Sequence, residues 1–175
     1  MGDISCIYKQ VFIGNYNQAC DINLLKKNNI KSVLHLGCHK KSNKILLLYK
    51  KYNIHHKFIE MRDMQNIDIN PYCTSASEYI NYFTRRGDNI LVHCKMGISR
   101  SPTVVAHYLM TLMHDHMKKQ KSVHPVLDEI IDLIRINRPC INPNSGFITQ
   151  LKQFEKEELN IYNSSLSTIS TTRPH

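Results

Sequence analysis

No run of about 18 consecutive apolar residues occurs in the chain, so a membrane-spanning helix is excluded. The greasiest stretch, Lys44-Ile45-Leu46-Leu47-Leu48-Tyr49, is closed by lysine at both ends. No Cys-x-x-Cys pair occurs among Cys6, Cys20, Cys38, Cys73, Cys94 and Cys140, which argues against a zinc knuckle and against a disulfide framework. Free thiols are expected, one of them reactive. The first residues, Met1-Gly2-Asp3-Ile4-Ser5-Cys6, lack the basic and apolar stretches of a secretory signal, so an intracellular, cytoplasmic protein is expected. Cys6 stands where the myristoylation pattern requires Ser or Thr, which leaves acylation of Gly2 a minority alternative. There is no internal repeat.

Acidic side chains are scarce: 14 Asp+Glu against 23 Lys+Arg give a formal charge of +9. Such a balance favours anionic partners, among them phosphorylated protein, nucleic acid and acidic membrane surfaces. The 21 Ile, 16 Asn and 16 Lys all have A/T-rich codons, however, so the lysine excess reports genome composition as readily as function. The 175 residues suffice for one domain with a sizeable core, and 42% hydrophobic and 21% charged residues are the composition of a soluble globular chain.

Val11-Phe12-Ile13 before Gly14 and Ser32-Val33-Leu34-His35-Leu36 before Gly37 read as short strands, with helical spacing over Asn17 to Asn28 between them. Lys40 to Lys51 reads as a helix, Ile54 to Glu60 as a strand, and Met61 to Pro71 as a polar loop. Tyr72 to Arg86 carries Ala76, Ile80 and Phe83 at helical spacing. Asn89-Ile90-Leu91-Val92-His93 reads as a strand buried on both faces. Helices are expected from about Pro102 to Met117, over Val126 to Asn137, and from Ser145 to about Leu159. This alternation predicts an α/β fold: a central, mostly parallel sheet flanked by helices, with a phosphate-binding loop between a buried strand and a helix. Residues 1–160 form one domain; 161–175, Ser/Thr-rich from Ser164 onward, are expected to be a flexible tail.

The loop in question is His93-Cys94-Lys95-Met96-Gly97-Ile98-Ser99-Arg100-Ser101. It places a cysteine at the C-terminal end of a strand, where open α/β sheets bind ligands, and an arginine six positions on at the start of a helix. Five intervening residues can wrap the backbone so that its N–H groups surround one anion, aided by the helix N-terminus. Arg100 closes the ring with a planar fork suited to phosphate oxygens, and Gly97 permits the tight turn. The same field favours the thiolate of Cys94, a nucleophile suited to phosphoryl transfer. A buried core cysteine is the usual fate of a cysteine, but it would require neither the glycine, the arginine nor the hydroxyl at these offsets.

His-Cys-x-x-Gly-x-x-Arg-Ser resembles the signature of the cysteine-dependent protein phosphatases, in their dual-specificity branch, which includes poxviral and MAP-kinase phosphatases. Val11-Phe12-Ile13-Gly14-Asn15-Tyr16 and Asn137-Arg138-Pro139-Cys140-Ile141-Asn142-Pro143-Asn144-Ser145-Gly146-Phe147 resemble the flanking motifs of the same family, so the likeness spans about residues 8 to 158. It implies Cys94 as nucleophile, Arg100 as phosphate ligand, Asp63 as general acid and Ser101 as the hydroxyl that assists the departing thiolate. It also implies a substrate phosphate bound by His93, Lys95, Met96, Gly97, Ile98, Ser99 and Arg100, with His93 ordering the loop. Asp68 is the alternative acid, with capping of the helix near Pro71 as its structural role; Asn144 is expected to cap the last helix. The chain departs from the family at Lys95-Met96, where the second residue is usually small, and at His35, where many relatives carry asparagine.

Neither a cofactor nor a metal is expected. His107, His114, His116 and His124 lack a ligand spacing, and the family uses no metal. Arg85-Arg86 and Lys118-Lys119-Gln120-Lys121 read as solvated faces, with docking of an acidic partner the lesser reading. The expected function is hydrolysis of phosphotyrosine and phosphoserine or phosphothreonine in a phosphorylated protein, through a pocket kept shallow by the short chain. The alternatives are the same chemistry on an RNA 5'-triphosphate or a phosphoinositide, which makes nucleic acid a less favoured partner, and a non-catalytic phosphate-binding adaptor.

Overall fold

A computed structural model describes residues 2–39, 42–120 and 123–171. The strands are β1 (Ser5–Tyr8), β2 (Val11–Gly14), β3 (Ile30–Gly37), β4 (His55–Glu60) and β5 (Asn89–His93). The helices are α1 (Tyr16–Cys20), α2 (Ile22–Lys27), α3 (Asn43–Lys51), α4 (Asn70–Thr84), α5 (Arg100–Lys119), α6 (Leu127–Asn137) and α7 (Ser145–Thr171). One five-stranded sheet has the order β1-β2-β5-β3-β4. All pairs are parallel except β1 with β2. The α/β architecture and the mostly parallel sheet agree with the expectation.

Alternate residues of the central strands serve two cores. Val11, Ile13, Leu34, Leu36, Ile90 and Val92 face α4, α5, α6 and α7, whereas Phe12, Val33 and Leu91 pack with Ala19, Leu25 and Tyr49 from the other layer. Ile90, Leu91 and Val92 are fully buried, each removal from water contributing about 1.5–3 kcal/mol. This explains why the middle of β5 is a continuous apolar run instead of alternating.

Three boundaries differ from the sequence reading. The edge strand β1 is additional: four residues of mixed polarity that pair with β2 across a turn in which Lys9 takes φ 47°. The helix expected over Asn17 to Asn28 is broken at Asp21, whose extended backbone ends α1 while its side chain accepts the Leu24 N–H at 3.1 Å and caps α2. The last helix, expected to end near Leu159, runs on to Thr171, with Phe147, Leu151, Glu155 and Tyr162 buried along it. Lys40, the expected start of α3, Lys121 of the basic run and residues 172–175 lie outside the described residues.

Candidate active site

The register explains where the site lies. Gly14 of β2 and His35 of β3 both pair with His93 of β5, so the chain leaves the sheet at Cys94 between two flanking strand ends. The next residues loop back to start α5 at Arg100. Each carbonyl of that loop is held from outside. Lys95 O accepts the Tyr16 N–H at 3.1 Å and Ile98 O accepts the Asn142 N–H at 2.8 Å. Arg138 donates Nη2 to Met96 O at 3.3 Å and Nε to Gly97 O at 2.7 Å. Ser99 O accepts from Thr103, by its N–H at 3.1 Å and its Oγ1 at 2.8 Å. In a trans peptide the N–H points opposite the preceding C=O, so outward carbonyls dictate inward amides. The Gly97 N–H accordingly reaches Cys94 Sγ at 3.2 Å. Gly97 takes φ 69°, and a side chain there would collide with the Gly14 carbonyl, so the turn requires glycine.

Cys94 is 1% exposed. Burial pushes its thiol up, but the Ser101 hydroxyl at 3.4 Å, the Ser101 N–H, the Arg100 guanidinium and the Gly97 N–H together hold it below the ordinary thiol value. Cys73 shows what burial does without such donors: desolvation, reinforced by the charge of Asp68, drives it up to about 12. Ser101 lies inside the first turn of α5 and aims its hydroxyl at sulfur, whereas the cap position belongs to Ser99.

Asp63 stands opposite the loop, just beyond β4. Its Oδ1 accepts the Ser99 hydroxyl at 2.7 Å and the Asn144 amide at 2.8 Å, while Oδ2 lies 3.4 Å from Arg100 Nε. Arg100, nine-tenths buried, also donates Nη1 to Met61 O at 3.2 Å. The structure therefore brings Cys94, Arg100, Ser101 and Asp63 to one place. Asp68 uses its carboxylate on the Asn70 N–H at 2.9 Å, at the start of α4. His93 Nδ1 bonds the Cys94 carbonyl at 2.9 Å, and its ring stacks on His35 with centroids 4.5 Å apart and planes 14° apart.

Two residues gain roles that the sequence did not assign. Arg138 grips two loop carbonyls and also donates to Ser5 Oγ at 3.3 Å, a contact spanning 133 positions. Asn144 caps α7 as expected, its Oδ1 accepting the Phe147 N–H at 3.0 Å, but its amide also holds Asp63. Only the placement of both residues inside a resembling motif hinted at this. Of the clustered histidines, His107 bonds Ser77 Oγ through Nδ1 at 3.0 Å and packs on Phe154, His116 Nε2 bonds the Gln120 side-chain amide at 3.3 Å, and His124 Nδ1 bonds Pro125 O at 3.0 Å. A cavity of about 670 Å³ between α4, α5 and α7 is lined by Ser77, His107 and Phe154 and includes none of the loop residues.

A buried cysteine whose thiol is held below its ordinary value, with the Gly97 and Ser101 N–H groups, an arginine and a carboxyl group beside it, is chemically competent to accept and release a phosphoryl group. Comparison with known proteins agrees. The family described as "Dual specificity phosphatase, catalytic domain" matches residues 11–157. Dual specificity protein phosphatase 1B of Arabidopsis thaliana is 33% identical over 156 residues, covering 88% of this chain and 83% of that protein. Human dual specificity protein phosphatase 22 is 29% identical over 152 residues, 87% of this chain and 73% of that protein. Human dual specificity protein phosphatase 5 is longer: its 36% identity over 107 residues spans 61% of this chain and 25% of that protein. Among solved structures, DUSP15 superposes with a TM-score of 0.75 at 24% identity, over 94% of this chain and 95% of that one, a likeness of fold. Signature loop, sheet order and sequence relatives coincide, and the chain belongs to the dual specificity phosphatase family.

Proposed function

We propose that the protein is a phosphatase that hydrolyses phosphotyrosine and phosphoserine or phosphothreonine in proteins, through a cysteinyl-phosphate intermediate. The observation that carries this reading is the convergence on Cys94 Sγ of the Gly97 N–H and the Ser101 hydroxyl, with Asp63 bonded across to Ser99 of the same loop. The thiolate of Cys94 attacks phosphorus, forming the S–P bond as the P–O bond to the leaving group breaks. The loop amides and Arg100 stabilise the three equatorial oxygens. Asp63 gives its proton to the departing oxygen, then takes one from the water that attacks phosphorus in the second step. The S–P bond breaks, inorganic phosphate leaves, and Ser101 donates its hydrogen bond to the returning thiolate.

The same residues would act on an RNA 5'-triphosphate or a phosphoinositide. A solved neighbour, PTPMT1 in complex with PI(5)P, has a TM-score of 0.67 at 21% identity, which is a likeness of fold alone. The curated relatives carry protein phosphatase names, and they favour the protein substrate. A reducing, cytoplasmic setting suits the six free cysteines, and no helix among the described residues is long and apolar enough to cross a membrane.

The test is the initial rate of phosphate release from matched phosphotyrosine and phosphothreonine peptides. Turnover of both that vanishes in Cys94→Ser and falls about a hundredfold or more in Asp63→Asn supports the reading. Faster release from triphosphorylated RNA, or no Cys94-dependent release from either peptide, overturns it.

A further inference from the structure

The loops that meet at the candidate site carry side chains the chemistry above does not use. Among the described residues seven large hydrophobic side chains are exposed, and two of them stand beside the reacting groups. Met96 lies between Cys94 and Gly97 and is 58% exposed; Met64 directly follows Asp63 and is 45% exposed. Their loops are tied together by the 2.7 Å bond from Ser99 to Asp63, so both methionines belong to one rim. Exposed apolar side chains rimmed by polar ones mark contact surfaces, and methionine is the side chain that adapts to varied apolar partners. Lys95, exposed, precedes Met96, and from Cys94 to Ser101 there is no acid beside it. Arg62 shares a surface pocket with Glu60, Ile67 and Tyr72 instead of the loop residues.

Resting on the phosphatase reading above, we infer that the substrate is a phosphorylated segment in which the phosphoresidue is flanked by apolar side chains within an acidic stretch. Met64 and Met96 cover the flanking apolar groups, and Lys95 faces the acidic ones. Carboxylates favour this cation over a neutral surface, and the methionines replace water on the flanking residues during the transition state, so the preference falls in kcat/KM. A phosphorylated inositol headgroup offers no apolar side chain to the two methionines.

The test is a set of phosphotyrosine peptides on one background, with leucine or serine on both sides of the phosphoresidue and aspartate or lysine at the outer positions. Wild type is expected to prefer leucine over serine by about tenfold in kcat/KM, the size of discrimination that apolar contacts give. Aspartate is expected to exceed lysine, with the gap closing as salt rises. Met64→Ser shrinks the leucine preference and keeps the turnover of a small aryl phosphate, and Lys95→Ser shrinks the aspartate preference. Met96→Ser and Lys95→Ser, which alter the phosphate loop itself, are read by the ratio between peptides alone. Cys94-dependent turnover indifferent to the flanking residues overturns this inference and leaves the phosphatase reading intact. Absence of Cys94-dependent turnover on every phosphopeptide overturns both. Faster hydrolysis of a phosphoinositide vesicle or of triphosphorylated RNA than of every peptide also overturns it, moving the occupant to lipid or RNA.

Discussion

Ser99 donates its hydroxyl to the Asp63 carboxylate at 2.7 Å, so the loop that would cradle phosphate also holds the group that would protonate the leaving oxygen. Asn144 donates to the same oxygen, Oδ1, at 2.8 Å. With Oδ1 accepting from two donors, Oδ2, beside Arg100, is the oxygen on which a proton for the leaving group would sit.

Asn144→Ala should slow hydrolysis of a phosphothreonine peptide by about tenfold, part of what general acid catalysis supplies, and leave para-nitrophenyl phosphate nearly unchanged because that leaving group needs no proton. It should also cost about 1 kcal/mol of stability through the lost α7 cap. Asn144→Ser keeps a capping oxygen but is too short to reach Asp63. Melting curves together with rates on the two substrates separate the effects: stability returns in Asn144→Ser and the phosphothreonine rate does not.

The Cys94 thiol is held below its ordinary range against the upward push of burial. Only the thiolate attacks, so kcat/KM falls as pH drops through that value. Ser101→Ala removes the hydroxyl that donates to the sulfur and should move the acid limb to higher pH. The rate of Cys94 alkylation by iodoacetamide against pH measures this directly. A limb that stays in place in Ser101→Ala would show that the hydroxyl does not support the thiolate.

Arg138 is the clamp behind the loop. Arg138→Met leaves the Met96 and Gly97 carbonyls without their donor, and an unpartnered buried group costs about 1–3 kcal/mol. The expected result is a drop of about a hundredfold in kcat/KM with α/β circular dichroism retained at room temperature, because the loop loses its inward amides before the sheet loses its core.

His107 gives a stability test remote from the loop. Burial holds it down to about 4, against a weaker upward pull from Glu158, so the native state keeps it neutral where the unfolded chain protonates it. Stability is therefore full above about 6.5 and is lost as pH falls toward 4, by up to roughly 3 kcal/mol. Melting temperature across that window should flatten in His107→Phe, which retains the packing on Phe154.

The contiguous parts of the site were legible because they obey local rules. The strand β5, the loop and the start of α5 follow one another within a dozen residues, and an apolar run, a glycine and an arginine suffice to mark them. The break at Asp21 and the course of α7 were not legible. Asp21 is both a helix end and a cap, and helical spacing on either side of it reads as one helix. The buried face of α7 continues to Tyr162 beneath a polar composition. Arg138 and Asn144 act on groups 41 and 81 positions away, and no periodicity along the chain reports that. The strand β1 escaped because a short edge strand of mixed polarity carries little pattern of its own.

The carbonyls of the loop are fastened by Tyr16 from the N-terminal part of the chain and by Arg138 and Asn142 from its C-terminal part. Cys94 therefore becomes an unusual thiol only when both ends of the chain have been placed. A nascent chain still lacking residue 138 would hold a cysteine of everyday reactivity, harmless to other phosphates and slow toward oxidants. Thiol reactivity at Cys94 should accordingly appear late in synthesis and vanish early in unfolding, making this one atom a sensor of whether the whole domain is assembled.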